Sequence, residues 1–278
     1  MIQQFLITRF DLNSKDWKLD KNYKQIDKTE WLVIRIQLFK KYCLPSVLNQ
    51  KEKSFIWIIY FQVGYEYLTE NLVQELSKYS FIKPIYKHDY EDFVATSPND
   101  ILKFISPETK NIITTRLDND DMISPSFTSH VRRVTSRSIK KPFILDFPYG
   151  LCMQADPVVF TRYNHKLNQF ISYIEPLDAV NKPKTVYAQQ HNQWHNHAAV
   201  LEDPTPNLWV QVVHERNITN QLEGVLSYST DIKGYPEQIV ALPATYNLLI
   251  FAMKCKAAFP TIPGRYFLKR LKKSIGFG

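Results

Sequence analysis

Apolar and polar positions fall into blocks along the first 120 residues, and each block has its own period. The run Gln4 to Phe10 (QFLITRF) is short and largely apolar, and it predicts a first strand. A polar stretch rich in Lys and Asp follows. Trp31, Ile34, Leu38 and Tyr42 then recur on one helical face, which predicts a helix from a Thr29 cap to about Tyr42, ended or bent by Pro45. Phe55 to Phe61 (FIWIIYF) is continuously apolar, as in a strand buried on both faces. Leu68, Leu72, Val73 and Leu76 predict a helix from Leu68 to Tyr79. Ile82 to Tyr86 predicts a short strand that Pro84 places near a sheet edge. Ser97-Pro98 combines a cap with a first-turn proline and predicts a helix to about Ile105, and Asn111 to Leu117 reads as the next strand. Strands alternating with helices predict an α/β fold, a mixed but mainly parallel sheet flanked by helices.

The second half is less regular. Ser124-Pro125 reads as a helix start, with Phe127, Val131 and Val134 as the buried stripe. Phe143 to Tyr149, Pro157 to Thr161 and Leu208 to His214 read as strands, and Asn168 to Glu175 as strand or loop. No internal repeat or low-complexity linker interrupts the chain, so residues 1–250 read as one domain and 251–278 as a basic segment.

Composition narrows the chemistry. With 44% hydrophobic and 22% charged residues, the chain can bury a core. It has only 7 glycines and neither a dinucleotide fingerprint nor a P-loop. Seven positive charges (Lys254, Lys256, Arg265, Lys269, Arg270, Lys272 and Lys273) follow Glu237, the last acid, so they nearly account for the net charge of +8. That tail reads as a solvated segment or as a contact for an anionic membrane surface, and no nucleic acid is expected. Cys43, Cys152 and Cys255 match no metal or redox spacing and read as buried free thiols. No secretion signal and no apolar run near 18 residues is present. The expectation is a cytoplasmic protein, peripheral at the inner membrane face if the tail binds lipid. The sequon Asn217-Ile218-Thr219 is discounted for the same reason.

The stretch from Ile112 to Ser124 (IITTRLDNDDMIS) carries the chemistry. Asp118, Asp120 and Asp121 stand at the end of a predicted strand, where open α/β sheets bind ligands. Carboxylates this close repel one another unless a cation or protons neutralise them. Mg2+ or Mn2+ suits such oxygen donors, with substrate phosphates completing the shell. A solvated acidic turn capping the next helix would carry the same residues.

The run Thr114 to Asp121 (TTRLDNDD) resembles the signature of the putative rhamnosyltransferase family, glycosyltransferases with a GT-A-like fold. Other segments match in the same order: Leu6 to Phe10, Glu30 to Arg35, Leu38-Phe39, Cys43 to Ser46 with Gln50, Phe55 to Trp57, and Trp209 to His214 with Asn217. The resemblance implies a nucleotide-binding half at about 1–122 and an acceptor half at about 123–250. It implies transfer of a sugar, by the family label rhamnose, from a nucleotide-sugar donor to a glycan or lipid-linked saccharide hydroxyl. The second core strand ends in Gln62, where such enzymes often carry an acid that contacts the nucleotide.

Roles follow from these placements. Asp120 and Asp121 are candidate ligands of Mn2+ or Mg2+, and His214, ending an apolar strand, is a third. Asp118 is assigned to the metal, its bound water or the ribose. Thr8, Arg9 and Phe10 end the first strand and should line the nucleotide pocket, Arg9 on phosphate and Phe10 on the base. Arg35, Gln62, Arg116 and Asn119 complete the nucleotide-binding candidates, with Arg116 equally readable as an ion-pair partner of the acids. Glu175 is the candidate general base, with Asp156 and Asp178 as rivals. His191, His195 and His197 could bind zinc on a helix, or lie in an acceptor loop where Trp194 stacks on a sugar. A divalent-metal phosphohydrolase or nucleotidyltransferase would use the same acids, and a polyanion-binding protein would use the tail alone.

Overall fold

The computed structural model describes residues 1–12, 27–135, 139, 141–156, 158–177, 182–214, 217, 220–226 and 235. The basic tail with Cys255, and also Asp178, Ile218 and Thr219, lie outside the described residues.

In chain order the strands are β1 Ile2–Arg9, β2 Phe55–Gln62, β3 Ile82–Lys87, β4 Asn111–Arg116, β5 Met122–Ile123, β6 Phe143–Asp146, β7 Tyr149–Ala155, β8 Val158–Asn164, β9 Ser172–Pro176, β10 Ala199–Glu202, β11 Trp209–Val213 and β12 Val225–Leu226. The helices are α1 Lys28–Leu38, α2 Leu44–Leu48, α3 Glu66–Leu76, α4 Tyr90–Leu102 and α5 Phe127–Val134. A seven-stranded sheet has the order β10-β6-β9-β4-β1-β2-β3, with β4, β1, β2 and β3 parallel and β9 antiparallel to both β4 and β6. A second sheet has the order β12-β8-β7-β11-β5.

The parallel centre is buried on both faces, as its apolar runs require. Leu6, Trp57, Ile59 and Phe61 pack with Phe39 and Leu72 on one side. Phe5, Ile7, Ile58 and Tyr60 pack with Phe93 and Tyr187 on the other. Pro84 lies on edge strand β3, where its missing N–H breaks no central ladder.

Local chemistry shifts some predicted boundaries. Asp27 rather than Thr29 caps α1, its Oδ1 accepting the N–H groups of Thr29 at 2.9 Å and Glu30 at 3.0 Å. The helix passes through a wide turn over Phe39–Cys43 into α2, whose first turn holds Pro45 where no N–H is required. Helix α4 begins at Tyr90, because Asp89 caps it through the Asp92 N–H at 2.8 Å, so Pro98 lies inside the helix rather than opening it. The apolar run at 143–149 divides at Phe147-Pro148 into β6 and β7, which belong to different sheets. Residues 172–176 are strand. Cys43 and Cys152 are buried and unbridged. Among the described residues no helix is long and apolar enough to cross a membrane.

Candidate active site

A cavity of about 300 Å³ opens at the carboxyl ends of β1 and β4. Its floor is the turn that follows β4. Asn119 fastens that turn to β1, donating from Nδ2 to the Phe10 carbonyl at 2.6 Å and accepting from Arg35 at 3.1 Å.

Three arginines meet there, and each lies over an aromatic ring. Arg9 is 5.1 Å from the centre of Tyr90, Arg35 is 4.9 Å from Trp31, and Arg116 is 5.5 Å from Tyr187. Ring faces attract guanidinium and hold it without consuming all its donors. Arg9 shows the cost of this gathering, since burial and the neighbouring Arg116 both lower its pKa.

The three crowded carboxylates take three different sets of partners. Asp118 takes a forked pair of hydrogen bonds from Arg116, at 3.3 and 3.2 Å. Asp120 pairs with Arg35 and lies 2.9 Å from His214 Nε2, with Asn217 donating to it at 3.4 Å. Burial alone would raise the Asp120 carboxyl, but Arg35 and His214 outweigh it and hold it well below its ordinary value. Asp121 turns the other way. It accepts the Val212 N–H at 2.8 Å and the Gln169 side chain at 3.2 Å. Burial, reinforced by Asp120 and Asp118, pushes its pKa well above the ordinary value, against the Val212 and Gln169 hydrogen bonds, which lower it.

Of the predicted residues, the structure brings Arg9, Phe10, Arg35, Arg116, Asp118, Asn119 and Asp120 to the cavity wall. His214 stands directly behind Asp120. It does not bring Asp121 there, because that carboxyl is spent on β11. Thr8 is fully buried and accepts the Trp57 indole N–H at 2.9 Å. The Phe10 ring packs between Phe39 and Phe61 at 5.1 and 4.8 Å, so only its backbone serves the site. Gln62 is not among the lining residues, and its N–H is taken by Asp11 at 2.8 Å.

Glu175 lies at the wrong end of the sheet for a base. It pairs with Ile112, at the start of β4, whereas the cavity is at that strand's end. Its carboxylate accepts the N–H groups of Lys184 at 3.0 Å and Thr185 at 3.1 Å, and burial raises its pKa. Asp156 is exposed and does not line the cavity. Trp194 is only 2% exposed and stacks on Tyr173 at 4.5 Å, so it offers no face to a sugar. The segment His191–Asn196 is a 3-10 turn, which leaves His195 and His197 exposed and offers no α-helical face for zinc.

Asp11, Trp31, Tyr90, Tyr187, Gln190 and His191 line the cavity without having been assigned to it. Asp11 and Tyr90 follow the carboxyl ends of β1 and β3, so the position rule could have found both. Tyr187 arrives from the second half with no local signal, whereas His191 belongs to the histidine-bearing segment read as a zinc site or an acceptor loop.

A family model described as putative rhamnosyl transferase matches residues 3–225. The chain belongs to that family. It is therefore a glycosyltransferase, and Arg116, Asp118, Asn119 and Asp120 of the motif line its cavity. Among curated proteins none matches it in sequence. Similar solved structures include the S. aureus TarS fragment 1–349, at 10% identity and a TM-score of 0.41, covering 76% of this chain and 60% of that one. A putative nucleotide-diphospho-sugar transferase from Desulfovibrio desulfuricans G20 covers 99% of this chain and 96% of its own, at 8% identity and a TM-score of 0.36. Mouse xyloside xylosyltransferase 1 covers 63% of this chain and 67% of its own, at 12% identity and a TM-score of 0.31.

Among the described residues no group of three His, Cys, Asp or Glu side chains is arranged as a complete metal cluster. Two donors are nevertheless suitably spaced. Ligands at about 2.1 Å from one ion and at right angles lie about 3 Å apart, and Asp120 Oδ2 and His214 Nε2 are separated by 2.9 Å. The same Asp120 oxygen also pairs with Arg35, so an ion there would have to displace that pair and draw its remaining ligands from substrate and water.

Proposed function

We propose that this glycosyltransferase moves a sugar, rhamnose by the family label, from a nucleoside diphosphate to a saccharide hydroxyl. The observation that carries the reading is the cavity itself, where Arg9, Arg35 and Arg116 converge above Asp118 and Asp120. Departure of a nucleoside diphosphate puts negative charge on phosphate oxygens. Guanidinium groups already held on aromatic rings can meet that charge with little reorganisation. In this reading Asp118 keeps Arg116 in place, and Asn119 does the same for Arg35.

Asp120 and His214 would hold Mn2+ or Mg2+, which when bound stabilises the charge developing on the leaving diphosphate. Asp118 and Asp121 are then supporting groups, one orienting an arginine and one bracing β11. A glycan or lipid-linked saccharide is the proposed acceptor.

A thermal-shift screen of dTDP-, GDP- and UDP-activated sugars, with and without Mn2+, tests the reading. One donor at about 100 times its Kd should add about 2.7 kcal/mol of stability, with a larger gain when Mn2+ is present. Asp120→Asn should keep the fold while cutting sugar transfer at least about 100-fold, the scale of losing one preorganised charge interaction. Full transfer by that variant, or in excess chelator, would remove the metal from the proposal. A wild-type protein stabilised by no nucleotide sugar would remove the donor.

A further inference from the structure

With Glu175 at the far end of the sheet, the cavity lacks an assigned base. The acids on its wall are poorly suited. Asp118 is chelated by Arg116, and Asp120 is held strongly ionised by Arg35 and His214. The unpartnered Oδ2 of Asp11 is wholly buried, out of reach of an acceptor hydroxyl. The remaining candidate is an imidazole that the second half of the chain delivers to the wall.

His191 opens the turn His191–Asn196 and lines the cavity beside Gln190, Tyr187, Arg116 and Asp118. Its Nδ1 is 2.5 Å from the Leu167 carbonyl. A carbonyl can only accept, so Nδ1 carries the proton and Nε2 of the neutral ring carries the lone pair. Among the described residues nothing hydrogen-bonds to Nε2.

The carbonyl that fixes this tautomer is itself held in an uncommon backbone conformation. Leu167 has φ +49°, in the left-handed region that non-glycine residues seldom occupy. Its N–H is bound by Asp146 Oδ2 at 2.8 Å, and Asn168 ties the same carboxylate to the Phe147 and His165 carbonyls. Asp146 is fully buried at the end of β6. A chain of contacts thus runs from the sheet through Asp146 and strained Leu167 to one imidazole nitrogen. That is the arrangement of an acceptor base oriented by a second group.

We propose that His191 is the general base of transfer, with Asp146 and Leu167 as its positioning residues. The proposal rests on the transferase reading above. His191 Nε2 takes the proton of the acceptor hydroxyl as that oxygen bonds to the anomeric carbon of the sugar. The bond from that carbon to the donor phosphate oxygen breaks, and its electron pair leaves with the nucleoside diphosphate toward Arg9 and Arg116. Burial first, then Arg116 and His165, lower the His191 pKa, against the Leu167 carbonyl and Asp118, which raise it. The ring therefore stands ready to accept a proton at neutral pH.

The test uses the full chain with whichever of the dTDP-, GDP- or UDP-sugars it turns over, reading release of nucleoside diphosphate. His191→Asn keeps a donor for the Leu167 carbonyl and removes Nε2. It should bind the nucleoside diphosphate with unchanged Kd and lower kcat about 100-fold or more. The acid limb of the wild-type kcat profile should vanish, and added imidazole should partly restore His191→Ala. Asp146→Asn should move the acid limb and lower kcat less. A His191→Asn enzyme within threefold of wild type, with its acid limb in place, would overturn the proposal alone. Wild type that releases nucleoside diphosphate from none of these donors would overturn the transferase reading as well.

Discussion

Asp11 illustrates how single residues at this site trade stability for chemistry. Its Oδ1 accepts the Gln62 N–H at 2.8 Å, while Oδ2 is buried without a partner. Burial raises its pKa from 3.8 to about 6, although Lys28 opposes the shift. The folded state therefore binds the proton more tightly than the unfolded chain does. The stabilisation is complete below about pH 4 and is lost as pH rises through about 6. A shift of about two units corresponds to about 3 kcal/mol. Asp11→Asn should consequently stabilise the protein at pH 8, by up to about that amount, and change little at pH 4. Thermal melts at the two pH values measure this, and equal shifts at both would refute the assignment. Such effects were not legible in the sequence. The motif from Thr114 to Asp121 announced an acidic site, but not that Asp121 would turn to β11. The pairing of Arg116 with the acids could be read from its place beside Asp118, but spacing could not show that Arg35 would reach Asp120 from 85 residues away.

At the scale of elements, the strands of the first half were legible because burial on both faces leaves an unbroken apolar run. The connections were not, because caps and turns depend on one or two side chains that compete locally. Asp89 outcompetes the Ser97-Pro98 signal for the start of α4, and Pro148 moves the chain from one sheet to the other. Glu175 belongs to this scale as well. Its carboxylate gathers the N–H groups of Lys184 and Thr185, and Thr185 has φ +66°, a conformation that needs such fastening. The Thr185 side chain in turn accepts the Tyr187 N–H at 3.3 Å, which sets the ring beneath Arg116. Glu175→Ala should leave the buried Thr185 N–H unsatisfied and cost about 1–3 kcal/mol, whereas Glu175→Gln keeps an acceptor and should cost less. Both should weaken donor binding more than they slow turnover at saturation. A Glu175→Gln enzyme with unchanged donor KM and a kcat lowered 100-fold would instead restore Glu175 as the base.

Across the whole molecule the decisive feature is the seam between the two sheets, because the site draws residues from both sides of it. Trp209 forms that seam. It is fully buried, stacks on Phe170 at 4.8 Å and donates from its indole to the Phe147 carbonyl at 2.6 Å. Gly150 on the neighbouring strand β7 leaves space for the indole, and a Cβ there would collide with three of its ring carbons. Trp209 also starts β11, the strand that binds Asp121 through Val212 and leads into His214 behind Asp120. A displaced indole should therefore be felt at both ends of the strand. Gly150→Ala overpacks a closely packed core and should cost about 1–3 kcal/mol, lowering the melting temperature by roughly 2–4 °C per kcal/mol in a chain of this size. Because β11 positions His214, which the proposed function assigns to the metal, that reading expects the same substitution to raise the Mn2+ concentration that half-saturates transfer, while leaving the arginines over their rings. Metal titrations of activity beside thermal melts separate the two effects. A Gly150→Ala protein that loses stability yet keeps its metal response would mean that the second sheet supports the site without setting its geometry.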